Sequence, residues 1–366
     1  MRIKVFAGVF LLFCSGIPAQ QPQSVTESNP KLSFSVGSLS FFRNNEYFNP
    51  ITEGYTLTGS HLRPLFVWKP YSSVEIKGGL FLSLWSGYDR GIVARPHFSV
   101  GLQLNSSTNL IVGSLSGSDH HNMFDPHFDS EKLYTAFQEE GLQLVHRGRS
   151  VFSDTWINWE EFIFHGDNRR EEFTFGESFR YFTGTGSSGI RFELPVQLLA
   201  KHRGGQISNY TAPVETHLNF AAGPRIIFGN HTGGAGGTGA EATLFLYSVN
   251  RTLPGIPFES GKALWIRGDH TFGKVTATAG VWMSDNFYSP NGNMMFSSVS
   301  DYQAGVHLPQ RRLLTGSVNY IKEWEAGFLS LLLGFDWYYD LAEKNFDHTM
   351  TLHIRIPEKK YGISKR

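Results

Sequence analysis

Titratable side chains are densest between Asp119 and Glu131, where Asp119, His120, His121, Asp125, His127, Asp129 and Glu131 follow one another closely. Imidazole nitrogen and carboxylate oxygen are the donors that suit zinc, copper or nickel, so His120, His121 and His127 are candidate metal ligands. No two of these histidines stand four residues apart, as a regular helical ligand pair would. The competing reading is a polar loop over 118–138 that folds inward as a constriction or lid, carried by Asp119, His120, His121, Asp125 and His127. No cofactor is implied.

Other groups could act without a metal. Glu75 with Lys77, Arg180, Arg191 with Glu193, Arg267 with Asp269, and His353 with Arg355 fall on the polar side of alternating segments. In a hydrated lumen such side chains set a transverse field, and their mixed signs argue against strong anion or cation selectivity. Trp265 and Trp282 could stack on sugar rings or join an interfacial girdle, and the girdle is the favoured placement. Hydroxyl and imidazole groups for acyl chemistry occur at Ser116, Ser118, His120, His121, His165 and His270. No Gly-x-Ser-x-Gly elbow accompanies them, so the expectation is a chain that is not an enzyme. The glycine run Gly229–Gly239 lacks the Gly-Lys-Ser/Thr ending of a phosphate loop and reads as a flexible connection.

These groups need elements to position them, and the elements alternate. In Lys274–Met283, Val275, Ala277, Ala279, Val281 and Met283 share one face while Thr276, Thr278, Gly280 and Trp282 share the other. Seventeen segments read as candidate strands: 31–42, 55–68, 72–85, 96–105, 107–117, 139–148, 152–164, 172–182, 189–201, 215–228, 240–249, 262–271, 273–283, 299–308, 313–322, 326–338 and 346–356, with clean alternation in 72–85, 96–105, 189–201 and 346–356. Pro195 and Pro224 interrupt two of these segments and predict bulges. Short turns near 105–107, 149–151 and 309–312 alternate with long connections such as 118–138 and 284–298. Aromatics gather at segment ends: Trp68, Trp85, Tyr181, Phe287, Tyr288, Trp324 and Trp337 to Tyr339.

The start of the chain reads as a leader. Met1-Arg2-Ile3-Lys4 precedes an apolar run and Ala19, so residues 1–19 form a cleavable signal peptide that carries the single cysteine, Cys14. Removing Arg2 and Lys4 from 32 basic residues leaves 30 against 32 acidic, a net charge of −2. No basic stripe points to nucleic acid. Without a mature cysteine, disulfides and thiolate sites are excluded. The 53 aromatics (31 Phe, 14 Tyr, 8 Trp) and 39 glycines suit strands that curve and meet a membrane interface.

On these residues the chain resembles porin-like outer-membrane β-barrel proteins of Gram-negative bacteria. The resemblance implies an all-β, antiparallel up-and-down barrel of about 16 strands, within 14 to 18, over residues 20–356, with long extracellular loops and short periplasmic turns. The segments 31–42 and 152–164 are the ones to discard if the count is odd. Residues 357–366 read as a short basic tail after the last strand. The function implied is a channel for passive diffusion of small hydrophilic solutes, in contact with outer-membrane lipid, with a homo-oligomer or a lipoprotein as the partner to expect. Alternatives are a structural subunit that binds a lipoprotein or secretion partner, and a barrel enzyme acting on envelope lipid.

Overall fold

The computed structural model describes residues 31–89, 91–116, 121–183, 189–205, 207–229, 236–251, 253 and 255–362. The leader, Ser118, Asp119, His120 and most of the glycine run lie outside the described residues. Strands β1 (Lys31–Glu46), β2 (Thr56–Tyr71), β3 (Val74–Trp85), β4 (Val93–Asn105), β5 (Thr108–Ser114), β6 (Glu140–Arg147), β7 (Val151–Glu161) and β8 (Glu172–Phe182) form one half of the wall. The other half is β9 (Ile190–Arg203), β10 (Glu215–Ala222), β11 (Arg225–Gly229), β12 (Gly237–Val249), β13 (Ser260–Phe272), β14 (Val275–Asp285), β15 (Gln310–Trp324), β16 (Leu329–Asp340) and β17 (Phe346–Gly362).

Each strand pairs antiparallel with its neighbours, and β17 pairs with β1, so the sheet closes on itself. Closure leaves no unpaired edge, the condition for a sheet to stand in hydrocarbon. Both β10 and β11 pair with β9 on one side and β12 on the other, so together they are one stave of a 16-stranded barrel. The fold is an outer-membrane β-barrel, and that places the chain in the bacterial outer membrane.

Four sequence expectations change. The surplus strand was neither 31–42 nor 152–164, both of which are in the wall, but 299–308. That segment belongs to one long connection, 286–309, that turns back into the barrel through a 3-10 turn at Met294–Phe296. Val299 packs into an interior core while Tyr302 is exposed, so the segment imitated a strand without being one. At Pro195 and Pro224 there is no bulge. Gly223 and Pro224 separate β10 from β11 while the register on both sides is unchanged, because the N–H that Pro224 lacks removes one ladder bond without adding a residue; the Gly223 amide still reaches the Pro195 carbonyl and the Pro224 carbonyl accepts from Ala242. Residues 357–362 are strand, not tail. Pro357 falls at a register shift between Val36 and Ser38, and pairing resumes beyond it to Gly362.

The fourth change concerns the lumen. Trp265 and Trp282 face inward rather than joining a girdle, and Trp282 is fully buried. Rings of Phe245, Phe287, Phe296 and Trp265 surround Trp282 at centroid distances of 5.0 to 6.2 Å. Tyr338 and Trp85, expected at the interface, likewise face inward. The loops 115–139 and 286–309 fold into the barrel and share one core with the inner wall: Phe124, Phe287, Met295, Phe296 and Val299 pack on Phe245, Trp265, Trp282 and Leu313. The middle of the lumen is filled, not open.

Truncating Trp282 to Ala leaves a large void in this core. The expected loss is about 3–5 kcal/mol of stability, read as a lower unfolding midpoint in detergent, whereas Ile266→Ala on the lipid face should cost much less.

Candidate functional site

Inside the barrel, buried charges fix the inward loops. His121 donates from Nε2 to Glu139 at 2.6 Å and from Nδ1 to Asp154 at 3.1 Å, and its ring stacks on Trp156 at 3.6 Å. Trp156 in turn lies flat over Gly176, where a Cβ would come within 2.1 Å of the indole. Burial alone would lower the His121 imidazole, but hydrogen bonds and charge from Asp154 and Glu139 outweigh it and hold the group at about 9. Glu131 accepts from Arg43 Nε at 3.0 Å, from Asn45 at 2.5 Å and from the Tyr55 hydroxyl. Arg311 holds the other loop, pairing with Asp340 at 3.0 Å and donating to the carbonyls of Met295 and Ser297 at 2.7 and 3.0 Å.

This arrangement answers the metal question for the described residues. His121 is engaged by two carboxylates, and His127 is sealed between the rings of Phe245 and Phe287, where burial lowers it to about 3. Asp125 accepts from the Ser130 amide and from Asn293, while burial and the charges of Asp125 and Glu131 raise Asp129 to about 8. Among the described residues no cluster of three or more metal-type ligands forms. A short helix, α1 (Lys132–Thr135), follows Ser130.

The sequence-selected charges all sit at interior-facing positions, but in separate ion pairs. Glu193 bridges Arg180 and Arg191, Glu241 bridges Arg225 and Arg267, and Asp269 takes Arg225 at 2.6 Å. Glu75 and Lys77 join Glu358 near the short-turn rim. His353 meets the Tyr134 hydroxyl of the inward loop, while Arg355 opens onto cavities at that same rim.

A different set of groups faces the membrane. Among the described residues, four strand imidazoles alternate onto the outer face: His146 and His270 near the short-turn rim, His202 and His348 near the long-loop rim. His348 stands opposite Glu46, and its Nδ1 has no hydrogen-bond partner. His202 is differently placed. Its Nε2 lies 3.1 Å from the Gly204 carbonyl, which fixes the proton there and leaves Nδ1 as acceptor for the Thr216 hydroxyl at 2.9 Å. That is a hydroxyl, a base in contact with it and a group that orients the base. Phe173 stacks on the imidazole at 4.8 Å.

Two residues along β10 from Thr216, on the same face, Leu218 enters a groove of about 710 Å³. Leu198, Phe220 and Leu246 line its apolar part; Ser248, Ser260, Lys262 and Asp285 line its edge toward the long loops. Neither His202 nor Thr216 was singled out by sequence. The signal was present in outline, since His202 continues the outward row Ile190, Phe192, Leu194, Val196 and Leu198, and a titratable group there breaks an apolar row. Of the hydroxyl and imidazole residues that were singled out, Ser116 donates its amide to Gln143, His165 is exposed in loop 162–171, and His270 bonds Thr238 at the other rim.

The family description lipid A 3′-O-deacylase-type matches residues 23–361. The chain belongs to this family. The match overturns the expectation of a non-catalytic barrel, because the family is named for an enzyme that removes an O-linked acyl group. No curated protein matches the chain. Solved structures share its fold at low identity. OccK2 (OpdF) of Pseudomonas aeruginosa is 10% identical with a TM-score of 0.51, over 91% of this chain and 98% of that one. A loop L8 deletion mutant of OmpT, an outer-membrane protein of Vibrio cholerae, is 11% identical with a TM-score of 0.50, over 90% and 99%. OccK2 in complex with glucuronate gives 10% and 0.50, over 92% and 99%.

The His121 clamp makes loop docking pH-dependent. The folded imidazole lies above its ordinary 6.5, so protonation favours the docked loop. The contribution is complete below pH 6.5 and is lost as pH rises through about 9. At one unit per about 1.4 kcal/mol it amounts to about 3 kcal/mol. Amide exchange in 121–139 should therefore accelerate above pH 9, and His121→Gln should show the fast exchange already at pH 7.

Proposed function

We propose that this barrel hydrolyses an acyl ester of an outer-leaflet lipid, with Thr216 as nucleophile and His202 as base. The hydrogen bond from Thr216 to a base already oriented by the Gly204 carbonyl carries the reading. Its location supports it: the pair is on the lipid face at the long-loop rim, level with the leaflet that holds acylated saccharide lipid. Membership of a family named for lipid A deacylation supplies the substrate class.

In this mechanism Thr216 Oγ1 attacks the ester carbonyl while its proton passes to His202 Nδ1. Collapse of the tetrahedral intermediate breaks the bond to the sugar oxygen, which leaves with the proton from His202. The acyl group then rests on Thr216. Water, deprotonated by His202, cleaves that ester and releases a fatty acid, restoring the hydroxyl. Leu198, Leu218, Phe220 and Leu246 accept the acyl chain, and Lys262 at the groove edge offers charge to a headgroup phosphate.

Vesicles containing lipid A should release fatty acid with the wild-type chain. Thr216→Ala and His202→Ala should each lower the rate by 10²-fold or more, with unfolding midpoints unchanged because both side chains sit at the rim. Full activity in either variant removes this assignment.

A second reading, passage of small hydrophilic solutes, rests on the barrel fold shared with outer-membrane proteins. The filled middle of the lumen predicts no steady conductance in planar bilayers at neutral pH. Discrete open-channel steps from the wild-type chain would favour the solute reading instead.

A further inference from the structure

At the short-turn rim the lumen is not filled. Below the aromatic core lies a cavity of about 380 Å³ whose floor includes Leu115 and Ser116 and whose walls carry Arg63, Lys77, Arg147 and Arg355. Among the described residues, Glu75 and Glu358 are the carboxylates that line this cavity with the four cations. Both carboxylates are already divided among several cations. Glu358 takes Arg63 at 3.0 Å and Lys77 at 2.9 Å. Glu75 takes Lys69 at 3.0 Å and Lys360 at 2.5 Å, with Lys77 farther away at 3.6 Å. Arg147 at the mouth lies over the Phe152 ring at 5.5 Å, a contact that leaves its guanidinium charge in place.

We propose that this vestibule binds a multiply charged oxyanion, carrying phosphate or carboxylate groups, that enters from the periplasm. An excess of positive charge held between low-dielectric walls attracts a counter-ion far more strongly than the same charge on an open surface. Arginine forks match paired oxygens on phosphate or carboxylate, and lysine adds a point charge between them. The size falls within the usual range for small-molecule sites. Wall strands separate the cavity from the bilayer, and the inward loops separate it from the long-loop rim. The occupant is therefore a soluble periplasmic anion rather than an outer-leaflet lipid, and the site stands apart from the ester-cleaving site proposed above.

Pyrophosphate is a suitable probe, titrated calorimetrically into the full chain in neutral detergent at low salt, with trehalose as an uncharged control. The expected result is saturable binding of one pyrophosphate per chain, weakened by added salt, with no response to trehalose. Arg147→Gln, at the exposed mouth, should weaken it at least threefold, and Lys77→Gln with Arg147→Gln at least tenfold. Thr216→Ala should bind as the wild type does, so the two sites fail independently. Absence of saturable binding by wild-type protein overturns the proposal. So does undiminished binding by Arg147→Gln, whose folding is checked by its unfolding midpoint.

Discussion

A residue in a closed sheet surrounded by lipid has two destinations, the acyl chains or the enclosed space. The backbone leaves no third choice, since every N–H and C=O must be paired within the ring of strands. Each polar group on β1 to β17 is thereby committed to the interior or to the outer surface by parity alone. On β9 the odd positions Arg191, Glu193, Gln197 and Lys201 go in, and the even positions Ile190 to Leu198 go out. The interior consequently receives a large number of charged and amide groups that must find partners there. They do so in small buried clusters, and those clusters hold the inward loops. Arg43 with Glu131 and His121 with Asp154 join wall to loop, and Arg311, held within the wall by Asp340, does so through the carbonyls of Met295 and Ser297.

Parity also gives weight to exceptions on the outer face. Thr216 and His202 occupy outward positions, and they satisfy each other across neighbouring strands rather than reaching for water. Comparable hydroxyl–imidazole pairs at Thr108–His146 and Thr238–His270 stand at the opposite rim. The His202 pair differs from the other two in the Gly204 carbonyl that orients its base, and in its position. Among the described residues, the pair at the long-loop rim is the one beside the groove lined by Leu198, Leu218, Phe220 and Leu246.

Alternation made the wall legible in the sequence, down to the faces of Val275–Met283 and Ile190–Leu198. It was blind to what the loops do. Val299 with Tyr302, Val306 and Leu308 looks like a strand, yet Val299 is buried in the interior core and Tyr302 is exposed. Trp282 and Trp265 read as girdle because a membrane interface and a dry core both favour indole. The candidate site was hidden for a different cause. Thr216 lies 14 residues beyond His202, across the loop 204–214, and their contact exists only through the register of β9 against β10. The same holds for Arg43 and Glu131, 88 residues apart.

Such distant anchors impose an order on assembly. Arg43 touches Glu131 from the middle of the chain and Thr351 from its final strand, 308 residues away. Bulky rings such as Phe287 and Phe296 have no way through a wall already joined at β1 and β17. They must gather inside while that seam is still open, or descend afterwards from the long-loop rim. Contacts of this sequence separation carry a heavy loop-closure cost and form slowly. In either order the aromatic side chains of both loops stay wet until the seam and the buried ion pairs have closed, so the last contacts to form are the ones that dry the interior.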